Sequence, residues 1–335
     1  MVRNTAWVED IGRWLRLRDL HVFFTVVRCG SMAKAAAALR ISQPSISIQI
    51  GDLEHALGVS LFDRTPRGVE LTSYGKALLQ RGEAAFDELR QGIRDIEFLA
   101  DPAAGEVRVG CSEAIWPGLL PPIIDRMSRK YPRVLLKISH ITANPPNLRG
   151  LDERELDLVI APIGRKISGD YKVEVLLNDT VRVIAGAQSR WASRRKIDIA
   201  ELSDELWIMT PQDTPLSAII EAAFRASGRP LPKYYLEAYS IHLRNHLVGT
   251  GRFVAATLGS VVRLNAEPFG LKALPVALPM AKVPLGVITV KNRTLSPVVG
   301  LFLECAREAG QSILHEGRPA SRSSQSVRDA APRSL

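Results

Sequence analysis

Residues Ser31–Leu57, SMAKAAAALRISQPSISIQIGDLEHAL, decide how the chain is read. The stretch divides into two short helices joined by a tight turn. Ser31 and Ser42 each stand where a helix begins, so each hydroxyl is expected to cap an orphan backbone N–H. Ala35, Ala36, Ala37 and Ala38 form a run of methyl-sized side chains that another helix can approach closely. Pro44 falls in the first turn after the Ser42 cap, where a missing N–H costs least. Beyond it Ile46, Ile50, Leu53 and Leu57 recur at spacings of four, three and four, a single apolar stripe. Gln43, Ser45, Ser47, Ile48 and Gln49 lie off that stripe and carry no charge, a set suited to base edges. The pattern predicts a helix-turn-helix whose second helix reads DNA.

The flanks extend this reading. Gly58 ends the second helix, and the short apolar runs Val59–Phe62 and Val69–Leu71 surround Arg64-Thr65-Pro66-Arg67-Gly68. That predicts a hairpin with a basic tip, a wing whose Arg64 and Arg67 reach phosphate or the minor groove. Upstream, Leu17, Leu20, Phe23, Phe24 and Val27 keep helical spacing and supply a first helix. Downstream, Thr72 can cap a long helix from Ser73 to about Phe98. In it Leu79, Gly82, Phe86, Leu89, Ile93 and Ile96 alternate spacings of three and four. Such a helix is about 39 Å long. Its seam predicts a homodimer joined through Leu79, Phe86, Leu89, Ile93 and Ile96.

Asp101-Pro102-Ala103-Ala104-Gly105 breaks the helix and marks a boundary. Beyond it, strands are predicted at Val107–Gly110, Val134–Ser139 and Asp157–Ala161, then again at Val181–Gly186, Leu206–Thr210, Tyr234–Ala238 and Phe253–Thr257. Helices alternate with them. One opens at Pro117 with Leu120, Ile123, Ile124 and Met127 on one face; others are expected over Leu148–Glu155, Leu216–Ser227 and His242–Gly249. A late strand at Val283–Lys291 and helix at Val298–Ala309 follow. This βαβ rhythm predicts a mostly parallel sheet covered by helices. In such sheets ligands gather beyond the C-terminal strand ends. That singles out Ser112 and Glu113 after the first strand, Thr142 after the second, and Thr210, Asp213 and Thr214 after a strand of the second half.

Composition agrees with a globular, soluble chain. The chain has 335 residues, 46% of them hydrophobic. Its mean hydropathy is +0.02. No apolar run is long enough to span a bilayer, and the N-terminus MVRNTAWVEDIGRW lacks the pattern of a secretory signal. Cys29, Cys111 and Cys305 are scattered and are expected as reduced thiols in the cytoplasm. The net charge is +9. Residues 1–76 hold ten Lys/Arg against seven Asp/Glu, so charge supports DNA binding only weakly.

The motifs together resemble the LysR-type transcriptional regulators. Ser31–Ala38, Ser42-Gln43-Pro44-Ser45, Leu53-Glu54 with Leu57-Gly58, and Leu61-Phe62-Asp63-Arg64 match that family's N-terminal signature in order and spacing. Where the family often has an arginine after the second serine of the reading helix, this chain has Ile48, suited to a thymine methyl. The resemblance implies an α+β and α/β multidomain protein. An N-terminal extension (1–16) would precede a winged helix-turn-helix (17–72) and a linker helix with hinge (73–103). A periplasmic-binding-protein-like effector domain (104–315) and a disordered tail (316–335) would follow. Its two subdomains would comprise 104–178 with 282–315, and 179–281. It implies DNA contacts at Ser31, Ala33, Ser42, Gln43, Pro44, Ser45, Ser47, Ile48, Gln49, Arg64 and Arg67. It places an unidentified small-molecule effector at Ser112, Glu113, Thr142, Thr210, Asp213 and Thr214. The partners implied are operator DNA and copies of the same chain, as homodimer or homotetramer, and no membrane.

Other chemistries are weakly signalled. Ser31-Met32-Ala33-Lys34 has the SxxK spacing of β-lactamase-type hydrolases, without S-D-N or K-T-G. His242 and His246 are four apart, but Leu243 stands where a metalloprotease base belongs, so no metal is expected. Gly249-Thr250-Gly251 ends a helix and lacks a third glycine, so no dinucleotide cofactor is expected. A transport solute-binding protein is the rival reading, and residues 1–100 oppose it. An enzyme lacks a nucleophile–base–orienter set.

Overall fold

Alternation of apolar and polar residues partitions the chain into eleven strands and ten α-helices among the described residues, with a 3₁₀ turn at Ile199–Leu202. The architecture comes from a computed structural model that describes residues 15–316, except 66–67, 103, 143–145, 164–166, 213 and 279–281. The expected extension, most of the tail, and Arg67 and Asp213 therefore lie outside the described residues. Two compact units divide between Gly92 and Ile93.

The first unit opens with α1 (Leu17–Cys29), α2 (Met32–Leu39) and α3 (Gln43–Leu57). Phe23, Ala35, Ile46, Ile50 and Leu53 are buried together, so the alanine run and the apolar stripe meet as expected, with Ala37 and Ala38 left outside. Gly30, Arg40 and Gly58 end the three helices in left-handed conformations. The wing follows as β1 (Phe62–Thr65) and β2 (Gly68–Leu71), paired antiparallel. Gly68 is required by close approach: a Cβ there would lie 2.4 Å from the Gly30 carbonyl oxygen. Then comes α4 (Ser73–Ala100), capped as predicted, with Thr72 Oγ1 accepting from the Gly75 N–H at 3.0 Å.

The expected seam of α4 divides in two. Leu79 packs on the core of its own unit, and Phe86 stands edge-on to Phe24 with centroids 5.3 Å apart. Leu89, Ile93 and Ile96 are exposed. A heptad-like spacing does not distinguish an internal contact from one with a partner, because both need the same stripe.

The second unit contains β3 (Ala104–Ser112), α5 (Leu120–Lys130), β4 (Arg133–Ile141), α6 (Arg149–Asp152), β5 (Leu158–Pro162) and β6 (Tyr171–Gly186). Next come β7 (Leu206–Met209), α7 (Pro215–Ala226), β8 (Tyr234–Glu237), α8 (Ile241–Gly249) and β9 (Phe253–Leu258). The last elements are α9 (Gly259–Asn265), β10 (Leu271–Ala273), β11 (Lys282–Val290) and α10 (Pro297–Glu316). The strands follow the order β4-β3-β5-β11-β6-β9-β7-β8, with β10 also on β6. β6 carries both halves. Its first part pairs with β11 and its last part with β9.

Here the sequence reading needs correction. β6 starts ten residues earlier than the predicted Val181, since its first part is half-solvated and interrupted by Lys172, Glu174 and Asn178. The sheet is mixed: β3–β4, β3–β5, β7–β8 and β7–β9 are parallel, while every pairing of β6 and β11 is antiparallel. A βαβ rhythm is blind to strands that cross between halves. Pro117 precedes α5 rather than opening it, and Ile124 is exposed. α6 is a single turn, followed closely by Arg154 at φ 58°. α10 outruns the prediction because Ile313 still packs on the core.

Candidate functional site

In the first unit, α3 begins as the sequence requires. The Ser42 hydroxyl accepts from the Ser45 N–H at 3.3 Å and shares a hydrogen bond with Ser45 Oγ at 2.8 Å. Ser31 holds the extended N-cap conformation of α2 but makes no side-chain cap bond, contrary to expectation. Gln43, Pro44 and Ile48 stand exposed on one side of α3, with Ala33 exposed on α2. Ile48 retains 63% of its accessible surface, a marked exposure for an isoleucine that no core demands. Ser47 and Gln49 are half-buried and already engaged. Ser47 Oγ lies 3.5 Å from Met32 Sδ, and Gln49 Nε2 donates to the Ser45 carbonyl at 3.2 Å. Glu54 fastens helix to wing, its Oε1 accepting from the Leu61 and Phe62 N–H groups at 2.6 and 3.2 Å. Arg64 lies within β1, so the wing backbone is where the sequence put it.

In the second unit, a cavity of about 120 Å³ opens at the C-terminal ends of the strands. It draws on both halves of the sheet, as open α/β sheets lead one to expect. Glu113, Ala114, His140, Ile141, Thr142 and Pro162 come from one half. Thr210, Thr214, Pro215, Leu216, Tyr239, Ile241, Arg244, Thr257 and Leu258 come from the other. Glu113, Thr142, Thr210 and Thr214, singled out from sequence, thus converge on one cavity. Ser112 does not line it; the residue is fully buried and its hydroxyl has no partner. Thr214 is also a structural cap. Its Oγ1 accepts from the Ser217 N–H, donates to the Pro211 carbonyl at 2.8 Å, and shares a hydrogen bond with Thr210.

Two groups set the electrostatics. Glu113 Oε1 accepts from the Ile241 N–H at 2.8 Å, so a carboxylate from one half sits on the N-terminus of α8 in the other. There the helix dipole favours negative charge. Arg244, on the first turns of α8, is 1% exposed. Its Nη2 donates to Thr257 Oγ1 at 3.0 Å, and its Nε has no partner. Burial pushes its pKa down to about 10, against the opposing pull of the Glu113 charge.

Arg244 and Tyr239 escaped the sequence reading. The signal for Arg244 was faint: a cation inside IHLRNHLVG, a helix without an obvious polar face. His242, weighed as a metal ligand, packs edge-on to Phe269 instead.

Residues 17–76 match the family described as bacterial regulatory helix-turn-helix protein, lysR family, and residues 100–311 match the LysR substrate binding domain. The chain belongs to the LysR-type transcriptional regulators. It binds operator DNA through the helix-turn-helix and a small-molecule effector through the C-terminal domain. Among similar proteins is the regulator GbpR of Azospirillum brasilense, 26% identical over 301 residues, covering 89% of this chain and 87% of GbpR. A full-length OxyR variant from Pseudomonas aeruginosa shares the fold with TM-score 0.62 at 21% identity, covering 88% of this chain and 95% of that one. Full-length CbnR in complex with its target DNA has TM-score 0.59 at 20% identity, with coverage of 88% and 100%. No helix among the described residues is long and apolar enough to cross a membrane.

Proposed function

We propose that the chain is a cytoplasmic regulator that acts by binding alone and is switched by a ligand in the cavity beneath α7 and α8. The observation that carries the reading is the convergence of Glu113, Thr142 and the Thr210–Thr214 pair, from three separate segments, on one cavity spanning both halves of the sheet. A ligand touching both halves favours the arrangement that brings them together, and only that differential affinity moves the equilibrium. DNA is read by Gln43, Pro44, Ser45, Ser47, Ile48 and Gln49, helped by Ser31, Ala33, Ser42 and the wing arginines Arg64 and Arg67. The exposed row Leu89, Ile93 and Ile96 joins two chains, so that two half-sites are held at once.

The test has two arms. Gln43→Ala is expected to lose about 1–3 kcal/mol of discrimination between operator and random DNA at fixed salt. Thr142→Met fills the cavity and is expected to change operator occupancy in the host without any ligand. Unaltered specificity in the first variant refutes the reading face; unaltered occupancy and response in the second refute the cleft.

A further inference from the structure

Taking that cleft as the effector site, we propose that its ligand is a small zwitterion, an α-amino acid or compact amino-carboxylate with an apolar body. Its carboxylate pairs with Arg244 and its ammonium with Glu113.

The cavity holds two opposite charges that do not touch. Arg244 and Glu113 both line it, and no ion pair joins them. Among the described residues no carboxylate lies within ion-pair distance of Arg244, whose Nε is buried and unpartnered. A guanidinium buried without a contacting counter-ion, with Glu113 acting on it only at a distance, is a standing cost that an incoming carboxylate reduces with two directed hydrogen bonds. Glu113 gives one oxygen to the Ile241 N–H, and no described cation pairs with it.

A plain carboxylate would meet Arg244 but confront Glu113 as a like charge in the same small space. A plain amine would meet Glu113 and leave Arg244 bare. A zwitterion satisfies both, and it keeps the Glu113–Ile241 bond that ties one half of the sheet to the other. Most of the remaining wall surface is apolar, with Ile141, Pro162 and Leu216, although threonine hydroxyls such as that of Thr142 also reach it. About 120 Å³ is close to the roughly 150 Å³ that accepts benzene in an engineered apolar cavity. Because the charged groups share that space with the side chain, it suits a compact amino acid of valine or leucine size better than phenylalanine.

The experiment titrates the full-length protein with L-valine, L-leucine and L-phenylalanine, following thermal unfolding. Two edited forms of leucine accompany them: isoamylamine, which lacks the carboxylate, and 4-methylpentanoate, which lacks the ammonium. At least one amino acid is expected to raise the melting temperature, and the edited forms to bind about tenfold or more weakly, about 1.4 kcal/mol. Glu113→Gln keeps the acceptor for the Ile241 N–H but not the charge, and is expected to weaken the amino acid by a similar factor. Arg244→Met is expected to abolish the shift. The proposal is overturned if 4-methylpentanoate binds as well as leucine, if isoamylamine alone binds, if Glu113→Gln binds the amino acid as wild type does, or if nothing in the panel shifts the transition. Should the panel be silent while Thr142→Met still alters operator occupancy, the ligand class falls and the cleft stands. If neither responds, both fall.

Discussion

The DNA-reading head and the proposed effector cleft put their candidate groups in opposite places. In the head, the apolar stripe of α3 turns inward and the most exposed candidate contacts, Gln43, Pro44 and Ile48, stand outside the core. In the cleft, the decisive groups are inside. Arg244 is buried without an ion-pair partner among the described residues, and Glu113 spans two halves of a sheet. The head's chemistry is therefore separable from its stability, whereas the cleft's chemistry is in conflict with it. Sites that bury unpaired polar groups are where stability is traded for binding.

The sharpest way to break this comparison is at a buried charge that is satisfied. Asp157 accepts from Arg108 Nη2 at 2.7 Å, from the Arg108 N–H at 2.9 Å, from Arg94 Nη1 at 3.2 Å and from Arg293 Nη2 at 3.5 Å. Its side chain is 1% exposed and that of Arg293 is 0%. Asp157→Ala strands guanidinium groups in the interior and is expected to cost about 3–5 kcal/mol, read by urea unfolding of the effector unit. Burial alone would raise its pKa, but the Arg108 hydrogen bonds and the surrounding cations outweigh it and hold the carboxyl below its ordinary value. A folded pKa below the unfolded one stabilises the protein above about pH 4 and ceases to do so as pH falls through the folded value. The acid limb of the stability curve is therefore expected to flatten in Asp157→Asn. A limb like that of wild type would mean that other carboxylates govern acid unfolding.

The divided seam of α4 gives the next effect. Phe86→Ala removes the ring that faces Phe24 and is expected to cost the first unit about 2 kcal/mol, below the usual range for phenylalanine because the ring is half-buried. Ile93→Glu touches no core and is expected to leave the melting temperature of the monomer alone while halving the mass seen by sedimentation. If Ile93→Glu keeps the wild-type mass, the exposed row is not the dimer contact. If Phe86→Ala alone dissociates the assembly, the contact begins earlier in the helix.

Arg244 tests the other side of the comparison. Its pKa, depressed to about 10 by burial, means that the protonated form is disfavoured by folding at every pH below that value. The penalty fades only as pH rises through about 10. Replacement by methionine, of similar reach and no charge, is expected to stabilise the effector unit by about 1 kcal/mol at pH 7 while effector response is lost. A variant that loses both stability and response would mark Arg244 as structural.

How much of this was legible follows the same division. The helix-turn-helix, the wing and the long helix rest on contacts close in sequence, so periodicity and caps at Ser42 and Thr72 located them. The cleft's strand ends were also legible, because βα units announce where strands stop, and Glu113, Thr142, Thr210 and Thr214 followed from that. The early start of β6 was not, since a strand crossing between two halves shows no clean alternation. Arg244 was hidden for a related reason. Its role depends on what β9 places above it, and Thr257 is thirteen residues away on another element. Ser112 was misplaced because a strand-end position does not reveal which side of the sheet its hydroxyl faces.

The smallest effect separates two serines that look alike in sequence. Ser42 and Ser31 each precede a helix, yet only Ser42 accepts from a backbone N–H, that of Ser45 at 3.3 Å. Ser42→Ala removes that acceptor and strands the partnered Ser45 hydroxyl, and is expected to cost about 1 kcal/mol. Ser31→Ala removes no cap bond and is expected to change stability by no more than a few tenths of that, within the range of ordinary surface substitutions. Thermal unfolding of the two variants side by side makes the comparison. An equal loss in both would mean that Ser31 caps α2 in solution and that the spacing in the sequence was the better guide; a loss in Ser42→Ala alone means that a residue's place before a helix is not evidence of a cap until its hydroxyl reaches an N–H.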